Sequence, residues 1–154
     1  MLKNRLLLII FNLIILNIPI TSNIENINKD MLIEIPKIKL KKNLYPNNSV
    51  LNNIDKNLMV IGNMPNEKGK LIIAGHSGEG EAAYFNDLAY LELEDEIYIY
   101  YNEILYTYVI YDIYDIEKTG KLYLNKNENN IVVLVTCKIG YNKQIVYKGA
   151  LKSN

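Results

Sequence analysis

The chain has 154 residues, enough for one folded domain with a short appendage and too few for two full domains. Its 17 basic and 17 acidic side chains cancel, and no basic run is interleaved with aromatics, which argues against a nucleic-acid partner. One cysteine excludes an internal disulfide, and one histidine with one cysteine cannot complete a usual zinc site, leaving only an all-carboxylate metal site open.

Lys3 and Arg5 precede LLLIIFNLIILNIPI, Leu6 to Ile20, broken only by Asn12, Asn17 and Pro19. Fifteen residues fall short of the roughly 20 that span a bilayer, but residues 1–22 with snorkelling ends just cross. The expectation is an N-terminal membrane-anchor helix, its start in the cytoplasm and the remainder outside. A cleaved signal peptide is the alternative, although Thr21 and Ser22 offer no small-residue cleavage site. Residues 23–30, NIENINKD, read as a linker, and the folded domain is expected over 31–154.

Short runs of period-two alternation follow: MLIEIP, LIIAG, EIYIYY, ILYTYVIYDIYDI, IVVLVTC and KQIVYKG. In EIYIYY, Ile97 and Ile99 share one face, Tyr98 and Tyr100 the other. A hairpin joins this run to the next around Asn102 and Glu103. Only AAYFNDLAYL, Ala82 to Leu91, has helical spacing, with Phe85, Leu88 and Leu91 on one side. The fold class is mainly β, a closed or nearly closed barrel with one or two short helices. The 13 tyrosines, against two phenylalanines and no tryptophan, are strand residues before they are ligands.

Cys137 ends IVVLVTC on the face of Ile131, Val133 and Val135, where a buried thiol is ordinary; the polar residues after it place it instead at a strand mouth. His76 follows LIIAG between Gly75 and Gly78, at a sharp turn. A satisfied structural histidine is the alternative, but a unique thiol and a unique imidazole at strand ends fit cysteine acyl transfer. Thr136 points to the face opposite Cys137, a structural side chain in a substrate-lining neighbourhood. The acidic run Glu92, Glu94, Asp95 and Glu96 reads as a solvated turn ahead of a strand.

The succession IPKI, AGHSG, YFNDL, the hairpin after LEDEIYIY, and LVTC, between Met31 and Leu151, resembles the sortases, cysteine transpeptidases mainly of Gram-positive bacteria. The resemblance implies an eight-stranded barrel and cleavage of a C-terminal sorting signal, often LPXTG, on a secreted protein. It implies attack by Cys137 to form a thioester, His76 as acid and base, and resolution by an amine of a peptidoglycan precursor or pilin lysine. It implies no cofactor or resident metal, although the acidic run is placed like the calcium site of some members. The family's arginine would fall at Gln144, and no arginine follows Arg5. Gln144 is then a neutral amide donor; Lys143 is the alternative cation, which in a regular strand faces away and requires a bulge. A hydrolytic sorting-signal peptidase and a non-catalytic signal-binding module are the competing functions.

Overall fold

A computed structural model describes residues 31–153. The expected anchor and linker, residues 1–30, lie outside the described residues; among those described, no helix is long and apolar enough to cross a membrane.

Eight strands follow in chain order: β1 (Met31–Ile35), β2 (Leu40–Leu44), β3 (Met59–Gly62), β4 (Lys70–Ala74), β5 (Glu96–Tyr101), β6 (Ile104–Glu117), β7 (Ile131–Cys137) and β8 (Lys143–Leu151). They form one sheet in the order β2-β1-β5-β6-β8-β7-β4-β3, curled around a single main core. The alternating apolar positions read from the sequence are those that point inward. Ile33, Ile35, Ile97 and Ile99 are fully buried there with Phe85, Leu88, Tyr108 and Tyr147.

The β5–β6 hairpin forms as expected: Tyr101 pairs with Ile104, and Asn102 and Glu103 both take positive φ. That is the requirement of the tight turn whose twist matches the strands it joins.

The barrel is nearly closed rather than closed, because no ladder joins β2 to β3 among the described residues. Side-chain amides occupy the free edge of β3 in place of a strand. Asn52 accepts from Val60 N–H at 2.6 Å and donates to its carbonyl at 2.9 Å, and Asn47 donates to the Gly62 carbonyl at 3.1 Å. These bonds satisfy edge groups that a neighbouring strand would otherwise take.

The expected helix over Ala82 to Leu91 is a 3-10 turn confined to Asn86–Tyr90. Phe85, Leu88 and Leu91 face the core as expected, but their three-residue spacing is the repeat of the tighter helix. Leu88 N–H bonds the Phe85 carbonyl at 3.3 Å and Leu91 N–H the Leu88 carbonyl at 3.0 Å.

β7 is buried on both faces. One face joins the main core through Val132 and Leu134; on the other, Ile131, Val133 and Val135, with Val146 of β8, pack beneath Leu122 and Leu124 of the segment between β6 and β7. The strand is therefore held from both sides up to its last residue, Cys137.

Candidate active site

β4 and β7 run parallel, with Ala74 opposite Val135 as their last rung. Two residues further along each chain stand His76 and Cys137. The fold thus brings the only imidazole and the only thiol of the protein to the same end of one strand pair.

The turn carrying His76 is fixed at each of its residues. Gly75 N–H donates to the Val135 carbonyl at 3.2 Å, and the Gly75 carbonyl accepts from Thr136 Oγ1 at 2.8 Å. The His76 carbonyl accepts from Phe85 N–H at 3.0 Å. Ser77 Oγ donates to the Cys137 carbonyl at 2.5 Å. Gly78 N–H donates to Asn86 Oδ1 at 2.6 Å, and the Asn86 amide returns a bond to the Gly78 carbonyl at 3.0 Å. Gly78 has φ +110, a conformation open to glycine at no cost. At Gly75 the demand is space: an added Cβ would lie 2.6 Å from Leu58 and 2.8 Å from Phe85.

The two reactive side chains open onto different spaces. Cys137 lines a largely apolar cavity of about 280 Å3, between the 3-10 turn and the β7–β8 connection, with Thr136, Phe85, Ile139, Ile145 and Tyr147. His76 lines a wider cleft of about 570 Å3 with Asp55, Lys56, Glu79 and Tyr84. Its Nε2 lies 3.5 Å from Asp55 Oδ1, an exposed and long contact that holds the ring weakly. Among the described residues the imidazole's one side-chain partner is Asp55, and no hydrogen bond joins it to the thiol. Burial, with Asp115 nearby, pushes the Tyr147 phenol up to about 12, so it borders the cavity as a neutral group.

Across the β7–β8 ladder Cys137 is directly opposite Gln144. Opposed residues of an antiparallel pair share a face, with Cβ atoms about 4.5–5.5 Å apart. The ladder runs without a register shift from Ile131 to Cys137, so the bulge that would turn Lys143 toward the thiol is absent. Lys143 stands one residue beyond that last rung, opposite Glu117 in the β6–β8 ladder, and so on the other face from Gln144. Thr136 is buried on the opposite face, spending its hydroxyl on the Gly75 carbonyl, and its neighbourhood lines the cavity.

Three contributors were not found from sequence. Ser77 and Asn86 are ordinary polar residues whose partners become visible only in three dimensions. Lys138 lines the Cys137 cavity and is held 2.6 Å from Asp115, a cation directly after the thiol that a search for one aligned position passes over. In the acidic run, Lys37 Nζ bridges Glu92 and Asp95 at 2.8 Å each, and Asp95 also accepts from the Glu92 N–H.

A family model of the sortase domain matches residues 33–152, and the chain belongs to the sortase family. It is 26% identical over 105 residues to sortase A of Bacillus anthracis, a match covering 68% of this chain and 50% of that protein. The chain thus spans about half the length of that curated relative. Among solved structures, a Clostridium perfringens sortase D5 transpeptidase superposes with a TM-score of 0.68 at 26% identity, over 81% of this chain and 79% of that one. Sortase C1 of Streptococcus agalactiae superposes with a TM-score of 0.70 at 25% identity, over 85% and 71%.

Proposed function

We propose that the protein is a cysteine transpeptidase acting on C-terminal sorting signals, with Cys137 as nucleophile and His76 as general acid and base. The observation that carries this reading is the convergence of the unique thiol and the unique imidazole at the end of β4 and β7, in a fold whose relatives include a sortase D5 transpeptidase.

The chemistry follows from the two groups. The Cys137 sulfur, as thiolate, attacks the scissile carbonyl carbon, and the oxygen takes up the negative charge. His76 delivers a proton to the departing nitrogen as the C–N bond breaks, leaving a thioester on Cys137. An incoming amine attacks that thioester, gives its proton to His76 and releases the sulfur. One imidazole serves both strokes, giving its proton in the first and taking one in the second. The amide of Gln144, on the thiol's face, donates to the developing oxyanion in place of the arginine the family usually supplies.

The sorting signal is of LPXTG type, and the acceptor is an amine of a peptidoglycan precursor or a pilin lysine. Residues 1–22 anchor the chain in the cell membrane with the domain outside. The test follows a sorting-signal peptide by intact mass, with and without an amine acceptor. A thioester on Cys137 and an amine-dependent acyl product support the reading. Amine-independent release as free acid alone identifies a peptidase instead.

A further inference from the structure

We propose that Ser77 is a positioning residue that ties the His76 turn to the Cys137 strand end. The proposal rests on the transpeptidase reading for its catalytic consequence, and on geometry for the tie itself.

Two side-chain-to-carbonyl bonds cross between these segments in a reciprocal pattern. Thr136, just before the thiol, donates to the carbonyl of Gly75, just before the imidazole. Ser77, just after the imidazole, donates to the carbonyl of Cys137 itself. The regular β4–β7 ladder ends at Ala74 and Val135. Beyond that rung, Gly75 N–H still reaches the Val135 carbonyl, and these two hydroxyls continue the attachment. Thr136 secures the inner side of the join, where it is buried; Ser77, half-buried, secures the outer side nearest the reacting groups.

The tie holds the backbone at the point where β7 ends. After Cys137 the chain leaves the sheet, and Lys138 N–H is already engaged by the Lys143 carbonyl at 2.9 Å, closing the β7–β8 turn on its far side. The Cys137 carbonyl is where that turn is fastened to the His76 segment. Ser77 therefore sets the separation of imidazole and thiol, which must be held to within about an ångström for proton transfer to keep pace with C–N cleavage. The flanking Gly75 and Gly78 make the turn sharp, and neither carries a side chain that could substitute for the hydroxyl.

The experiment compares Ser77→Ala and Ser77→Thr with wild type in three measurements: the kcat and KM of thioester formation with a sorting-signal peptide, the thermal midpoint, and amide hydrogen exchange. Ser77→Ala is expected to lower kcat about 10- to 100-fold with KM unchanged, which is the range that small misplacements of reacting groups produce. Its thermal midpoint stays at the wild-type value, exchange quickens at residues 75–78 and 136–138 while β5 and β6 remain protected, and Ser77→Thr recovers most of the lost rate. Full kcat in Ser77→Ala overturns the proposal. So does a loss that Ser77→Thr does not restore, or one matched by a general fall in thermal midpoint. A wild-type protein inert toward every signal peptide defeats the transpeptidase reading alone, whereas unchanged exchange in Ser77→Ala defeats the tie regardless of activity.

Discussion

Gln144 lies opposite Cys137, where the resemblance to the sortases calls for an arginine, and replacing it gives a quantitative test. The side chain sits opposite Cys137 in an unbroken ladder, half-buried, so its amide is on the thiol's face. A neutral hydrogen bond contributes about 0.5–1.5 kcal/mol net, and one involving a charged donor about 1.5–3 kcal/mol. At about 1.36 kcal/mol per tenfold in rate, Gln144→Ala should lower kcat/KM for thioester formation about 2- to 13-fold. Gln144→Arg, adding about 1–1.5 kcal/mol of transition-state stabilisation, should raise it about 5- to 13-fold. The assay is stopped-flow or quenched mass measurement of the acyl-enzyme at subsaturating peptide, with thermal melting to confirm that both variants fold. Full activity in Gln144→Ala together with loss in Lys143→Ala would refute the reasoning, because it would require the register of β8 to differ from the one described here. A loss of about 10³-fold or more in Gln144→Ala would also refute it, since that exceeds what a neutral donor supplies.

Two further outcomes follow from packing and titration. Gly75→Ala pushes a methyl group against Leu58 and Phe85, and overpacking of this kind costs about 1–3 kcal/mol. The thermal midpoint should fall by ~3–15 °C, and an unchanged midpoint would show that the turn has more room than its contacts indicate. Burial pushes the phenols of Tyr108 and Tyr147 up to about 12 in the folded protein, and burial with the Glu128 hydrogen bond does the same for Tyr111. The folded state therefore keeps phenolic protons that the unfolded chain loses above about pH 10. Stability from these groups is complete below that point and is lost as pH rises toward 12. Denaturant midpoints measured from neutral to strongly alkaline pH should fall in that window; midpoints that stay constant from about pH 9 to about pH 12 would contradict it.

Much of the fold was legible in the sequence because two-residue alternation reports directly on which face of a strand is buried. Ile33, Ile97 and Ile99 reach the core for that reason, and Asn102 marks the hairpin because its short polar side chain tolerates positive φ. The element at 82–91 is tighter and shorter than expected because a three-residue apolar spacing fits both helix types. The open seam was hidden because Asn47 and Asn52 look like loop residues until their amides are seen on the β3 edge. At the site, Cys137 and His76 were conspicuous because each is unique, and Gln144 because the family pattern sets its register. Ser77 carried no such signal, since its partner is 60 residues away and is a carbonyl present at every position.

The central claim is that Cys137 becomes acylated by a sorting signal. Intact-mass analysis of the protein after incubation with a panel of LPXTG-like peptides tests it directly. The account predicts a mass increase equal to the acyl portion of one peptide, localised to Cys137, removed by hydroxylamine, absent in Cys137→Ala and strongly reduced in His76→Ala. A folded protein that forms no adduct with any member of the panel, or one that forms it equally in Cys137→Ala, would contradict it.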